Sequence, residues 1–155
     1  MLCSDYRTLP GTLPRAHGQD DPQEAGTMNI WFRIKDKLIT PSLSDSILAG
    51  ITRDSIIKLA RDNKIEVEEK KISVQEILEA YNHNQLQEAF GTGTAVTISP
   101  INSITYQDTI IQLPKQKNPI SLELKKIFQD IQRGRIEDRY SWIDKIDGNN
   151  VMNKY

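Results

Sequence analysis

The sequence predicts an α+β fold with a barrel-like sheet and about three helices. Short runs rich in β-branched and aromatic residues come in pairs separated by polar turns, the pattern of hairpins. Three longer segments carry apolar residues at helical spacing instead. Few strand–helix–strand units follow one another in strict alternation, which argues against a doubly wound parallel sheet.

Residues 1–23 combine three prolines and two glycines with few apolar side chains, and read as a disordered or unrelated leader. From Glu24 the character changes. Met28–Ile34 and Lys37–Thr40 form a predicted hairpin around Lys35-Asp36, and Pro41 ends its second strand. After a loop with an apolar spot at Ile47-Leu48, Gly50-Ile51-Thr52 opens a helix with Thr52 as its cap. Asp54 suits the first turn of that helix, Ile56, Ile57, Leu59 and Ala60 make its apolar stripe, and Asn63 closes it.

Ile65–Glu69 alternates like a half-exposed strand, its carboxylates on the polar face. Ser73-Val74-Gln75-Glu76 is a capping box, followed by Val74, Ile77, Leu78 and Tyr81 at the spacing of one helix face. Gln85–Phe90 reads as helical up to a turn at Gly91-Thr92-Gly93-Thr94, and the chain after Thr94 reads as strand. Asn102–Tyr106 and Thr109–Leu113 are two strands joined by Gln107-Asp108. Ser121 caps a last helix with Leu124, Ile127, Phe128 and Ile131 inward, ending at Arg133-Gly134-Arg135. Trp142 and Ile143 fold back on the body, and 147–155 is a frayed tail.

A chain of 155 residues, 37% hydrophobic and 26% charged, is an ordinary single domain with a real core. A net charge of −1 offers no bulk electrostatic case for nucleic acid or anionic membrane. The single cysteine, Cys3, excludes an intramolecular disulfide, and neither His17 nor His83 has neighbours at metal-ligand spacing, so no metal site is expected. Neither a membrane span nor a signal peptide is visible, and a cytoplasmic protein is the default.

Two stretches invite an anion. A helix start preceded by glycine, at Gly50-Ile51-Thr52, offers free N–H groups to a phosphate. The Gly/Thr turn at 91–94 offers backbone N–H groups and hydroxyls close together. Each has a plainer reading, as a helix cap and as a turn that needs glycine for its backbone angles.

Three segments stand in a telling order: Glu24-Ala25-Gly26-Thr27-Met28-Asn29, Gly50-Ile51-Thr52-Arg53 and Phe90-Gly91-Thr92-Gly93-Thr94-Ala95. Together they resemble the C-terminal domain of branched-chain amino-acid aminotransferases, class IV (fold type IV, D-amino-acid aminotransferase-like) enzymes that depend on pyridoxal 5'-phosphate. The resemblance covers residues 24–146. It implies that Glu24 pairs with the pyridine nitrogen of the cofactor, and that Ile51, Thr52, Gly93 and Thr94 surround its phosphate. It also implies that Thr27 and the Ala95 N–H hold the substrate carboxylate, with Met28 on a neighbouring apolar surface.

The implied reaction exchanges the amino group of Leu, Ile or Val with 2-oxoglutarate, giving a branched 2-oxo acid and glutamate, in homodimers. Two departures stand against it. The Cys-x-x-Cys pair of some animal members is replaced by Val96 and Ser99. More seriously, the family's Schiff-base lysine precedes the glutamate, and here the first lysine is Lys35. The family's N-terminal domain has no counterpart either. The expectation is therefore a truncated chain, inactive by itself and without a catalytic residue of its own. The alternative is a non-catalytic domain that binds a phosphorylated ligand or a partner protein.

Overall fold

The computed structural model describes residues 11–12, 24–25, 28–44, 47–106 and 109–144, the first two of these ranges as backbone. The elements are β1 (Gly11–Thr12), β2 (Glu24–Ala25), β3 (Met28–Ile34), β4 (Lys37–Thr40), α1 (Ile51–Asp62), β5 (Val67–Glu69), α2 (Val74–Asn82), β6 (Leu86–Gly93), β7 (Thr97–Ile101), β8 (Ser103–Tyr106), β9 (Thr109–Gln112) and α3 (Ile120–Gln132).

One sheet runs β5-β4-β3-β6-β7, with β2 added beside β3. Every pairing in it is antiparallel except β4 with β5. The predicted barrel-like closure is not there. The sheet is open, with β5 and β7 as its edges, while β8 and β9 leave to form a second sheet with β1. The physical reason is visible at both edges. β5 is three residues long, and its carboxylates and that of the preceding Glu66 are occupied, Glu66 and Glu68 by Lys37 and Glu69 by Arg53 and Arg61. Beyond β7 the chain bends at Asn102, whose carbonyl accepts from Leu113 N–H in the smaller sheet.

Of residues 1–23 only Gly11–Thr12 is described, and it pairs in parallel with Ile104 and Thr105. The rest of the predicted leader, the Gln107-Asp108 turn and the 147–155 tail lie outside the described residues.

Alternation along β3 and β6 divides the core in two. On one face Ile30, Phe32 and Ala89 meet Ile72, Ile77 and Ala80 from the α2 segment and Ile104 and Ile111 from the small sheet. On the other, Trp31 and Phe90 meet Ile56 and Leu59 of α1 and Leu124, Phe128 and Ile131 of α3. Trp31 and Phe90 stack with centroids 5.6 Å apart and planes 8° from parallel. Each of these fully buried side chains contributes roughly 2 kcal/mol by burial. Trp142 folds back as expected, stacked on Tyr140 and leaning on Phe128.

The hairpin turn is as expected. Lys35 and Asp36 both hold positive φ, as a two-residue turn between twisted antiparallel strands requires. The Gln87 amide, with help from the Arg33 guanidinium, holds the Asp36 carboxyl below the usual carboxylate range.

Three local expectations need correction. Gln85–Phe90 is not helical: Leu86–Gly93 is the central strand β6, buried on both faces. The turn comes later, at Thr94–Val96. The caps also move, to Gly50 for α1 and Pro119 for α3, so that Thr52 and Ser121 sit inside the first turn. The capping box at Ser73 and Glu76 is present in full. All three helices end alike, with positive φ at Lys64, Asn84 and Gly134 and N–H groups of the next residues (Ile65, Gln85, Arg135) bonded back to Ala60, Ala80 and Asp130.

Candidate functional site

The three resembling segments meet at one end of the large sheet, around Asn29. In register, Asn29 stands opposite Glu24 of β2 on one side and Thr92 of β6 on the other. Its side chain, buried on the α1 side of the sheet, donates from Nδ2 to the Leu48 carbonyl at 2.8 Å. Leu48 leads directly into Gly50, the cap of α1. A Cβ at Gly50 would collide with Asn29 Oδ1, so glycine is required there for close approach rather than for its backbone angles.

The head of α1 carries no side-chain cap. The first intrahelical bond is made by Asp54 N–H to the Gly50 carbonyl, so the N–H groups of Ile51, Thr52 and Arg53 precede the ladder. Ile51 is 85% exposed, whereas Thr52 is buried. Arg53 is buried too. It donates from Nη2 to the Pro41 carbonyl at 2.8 Å and to Glu69 at 3.0 Å, pinning the start of the loop whose end Asn29 pins. Its Nε is buried with no partner.

On the β6 side, the Thr92 hydroxyl accepts from Trp31 Nε1 at 3.0 Å and is sealed inside. The chain then surfaces: Gly93 is half-buried, and Thr94 and Ala95 are exposed in the turn. Gly91 and Gly93 have a packing reason. A Cβ at Gly91 would lie 3.0 Å from Met28 Cε, and one at Gly93 would lie 3.2 Å from Met28 Cγ. The Met28 side chain is thus laid along β6 on the face opposite Asn29. Neither glycine holds positive φ, so the backbone-angle reading of this stretch is set aside.

Of the sequence-predicted site residues, Ile51, Thr52, Gly93, Thr94 and Ala95 belong to the α1 head and the β6 end that flank Asn29. Glu24 lies beside them as backbone, and Thr27 is outside the described residues. Asn29 and Arg53 close two of the resembling segments, but neither they nor Trp31 is assigned a role at the site by the sequence. The signal for Asn29 was a polar residue directly ahead of the apolar run Ile30-Trp31-Phe32.

The lysines nearest Glu24 in sequence are at the wrong end. Lys35 lies six residues beyond Asn29 along the hairpin, about 20 Å away at the rise of a strand. A depression of about 500 Å³ between the hairpin and α2 is lined there by Lys35, Lys37, Lys70 and His83. Two of its cations are already paired, Lys37 with Glu66 and Glu68 and Lys70 with Glu76, and the His83 Nδ1 lies 2.7 Å from the Glu79 carbonyl. Among the described residues no group of three or more His, Cys, Asp or Glu could hold a metal ion, and no helix is long and apolar enough to cross a membrane.

Comparison with known proteins identifies the family. The family described as amino-transferase class IV matches residues 17–104, more than half of the chain. A probable branched-chain-amino-acid aminotransferase of Staphylococcus epidermidis is 44% identical over 121 residues, which is 77% of this chain and 34% of that protein. Branched-chain-amino-acid aminotransferase 2 of Bacillus subtilis is 38% identical over 125 residues, 80% of this chain and 34% of its own length. Among solved structures, the branched-chain amino acid aminotransferase from Escherichia coli superposes with a TM-score of 0.68 at 33% identity, covering 81% of this chain and 40% of that one. The branched-chain aminotransferase from Thermobaculum terrenum, in its PLP-form, superposes at 0.62 with 34% identity, covering 76% and 36%. The chain spans about a third of the length of the curated relatives it matches. It belongs to the class IV aminotransferase family.

Proposed function

We propose that this chain carries the phosphate-binding and substrate-carboxylate side of a branched-chain aminotransferase site, and that the 155 residues alone do not transaminate. The observation that carries the proposal is the uncapped head of α1, held by Asn29 against the ends of β2 and β6. An uncapped helix start is suited to a dianionic phosphate, because its N–H groups and the helix dipole act together.

In this reading the N–H groups of Ile51 and Thr52 and the Thr94 hydroxyl would hold the phosphate of pyridoxal 5'-phosphate, with Gly93 next to Thr94 in the chain. By the family resemblance Glu24 would pair with the ring nitrogen, and Thr27 and the Ala95 N–H would hold the carboxylate of the amino acid. Met28, fixed over Gly91 and Gly93, supplies an apolar wall for a Leu, Ile or Val side chain. When bound, the cofactor supplies an electron sink for negative charge at the substrate Cα. The family's Schiff-base lysine, which moves the proton, precedes the glutamate, whereas the first lysines here, Lys35 and Lys37, follow it and sit at the far end of β3. Residues 24–146 form the aminotransferase portion in this account. Completion of the site belongs to the rest of a full-length cytoplasmic homodimer of this family.

The test is to incubate the chain with pyridoxal 5'-phosphate, reduce with borohydride and map adducts by peptide mass spectrometry. Scattered surface labelling and no turnover of leucine with 2-oxoglutarate are expected. One stoichiometric lysine adduct, displaced by a branched-chain amino acid, would overturn the inactivity. A second reading, a domain that binds a phosphorylated ligand without catalysis, is favoured by the same distance between lysines and site. It differs in predicting tight binding of phosphorylated compounds unrelated to the cofactor.

A further inference from the structure

We propose that Asn29 is a positioning residue: it sets the phosphate-binding head of α1 in register with β2 and β6. This rests on the reading just given and deepens it. Asn29 is one residue with three attachments to the site. Its backbone pairs with Glu24 and with Thr92, and its amide reaches out of the sheet to the loop before α1.

The attachment to that loop is doubled at one atom. The Leu48 carbonyl accepts from Asn29 Nδ2 at 2.8 Å and from Gly50 N–H at 2.8 Å, which curls the backbone immediately ahead of the helix. Asn29 Oδ1 then fills the space a Cβ would take at Gly50. One amide therefore both pulls the loop inward and limits its approach. At the other end of the loop the Arg53 guanidinium holds the Pro41 carbonyl, so the segment between Pro41 and Gly50 is anchored twice by buried side chains. Released from Asn29, the loop keeps its anchor at Pro41 and loses a hydrogen bond next to the head of α1.

The consequence is specific to the ligand's phosphate. Asn29 touches neither phosphate nor ring in this reading; it acts by fixing where the Ile51 and Thr52 N–H groups point. Its loss therefore weakens pyridoxal 5'-phosphate but not pyridoxal, which has no phosphate to place.

The experiment uses the full chain and follows quenching of tryptophan fluorescence by pyridoxal 5'-phosphate and by pyridoxal in wild type, Asn29→Ala, Asn29→Ser and Gly50→Ala. Amide proton exchange at Ile51 and Thr52 is read by NMR in the same samples. Removal of the hydrogen bond should weaken pyridoxal 5'-phosphate about tenfold in both Asn29 variants, leave pyridoxal unchanged, and speed exchange at Ile51 and Thr52 ahead of the rest of α1. Gly50→Ala should cost more in wild type than in Asn29→Ala, where its Cβ no longer meets the amide oxygen.

Two failures are distinguishable. If wild type shows no preference for pyridoxal 5'-phosphate over pyridoxal, the phosphate reading falls and this inference with it. If wild type shows the preference and the Asn29 variants keep it, or lose both ligands in step with a general drop in melting temperature, only the positioning role falls.

Discussion

The heads of α1 and α3 make opposite use of the same physics. Each helix starts after a residue with no side-chain cap, Gly50 or Pro119, and each points positive N–H groups outward. At α3 the protein supplies its own anion. The Glu88 carboxylate, buried on β6, accepts from the N–H groups of Ile120 at 2.9 Å and Ser121 at 3.2 Å, and from the Ser121 hydroxyl at 2.8 Å. Arg33 balances it from the other side at 2.9 Å. At α1 the acid in the first turn, Asp54, is paired with Lys58 instead, and the first residue, Ile51, is exposed. One helix head is closed from within, and the other is held in place by Asn29 and left facing outward. The closed head shows what a carboxylate does when it belongs to the fold. In the function proposed above, the open head takes an anion from outside instead.

The sharpest way to break this contrast is to open α3. Glu88→Gln removes the charge that Arg33 and two helix N–H groups share, and should cost about 3 kcal/mol in urea denaturation. A cost under about 1 kcal/mol would mean that the closed head is only a geometric coincidence. Next comes α2, closed by its own capping box. Ser73→Ala should cost about 1 kcal/mol. There the Ser73 N–H, more than the Lys70 ammonium, holds the Glu76 carboxyl below the usual range. A lowered folded-state pKa means that this support is present above the unfolded value and fades as pH falls through the folded one. Wild type should therefore lose its advantage over Glu76→Gln on acidification, by less than about 1 kcal/mol because the site is half exposed.

The smallest effect is at the other end of α1. Burial, and then the hydrogen bond its hydroxyl donates to Asp62, push Tyr140 up to about 12. A raised tyrosine favours folding below its ordinary pKa and loses that support as pH rises through about 12. Ultraviolet titration should show a late tyrosine step, and Tyr140→Phe should remove it at a cost under about 1 kcal/mol.

Much of the fold was legible because its signals are local. The Lys35-Asp36 hairpin, the Ser73 box, the Gly134 helix end and the return of Trp142 each depend on a few neighbouring residues. The failures share the opposite property. Leu86, Ala89 and Phe90 fall at helical spacing, and Gln and Glu between them favour helix, yet the segment is a strand because both of its faces are buried. Ser121 looks like a cap, but its hydroxyl is spent on a carboxylate 33 residues away. Thr52 misled for the same reason: the true cap, Gly50, is chosen by the room Asn29 leaves. Barrel closure was overcalled because pairing between distant edges leaves no trace in local pattern. At the candidate site, the residue types came from resemblance to a family. The amide that joins them needed coordinates.

The Met28 side chain lying along Gly91 and Gly93 has a consequence for how this surface could drift over generations. An alanine at 91 meets Met28 while 28 is methionine, because the added methyl needs its neighbour to move by a few tenths of an ångström. A smaller residue at 28 removes that obstacle but leaves a void above the strand. The three positions therefore form a ratchet in which the order of substitutions matters, and a change in the apolar wall is reached most easily by altering 28 first.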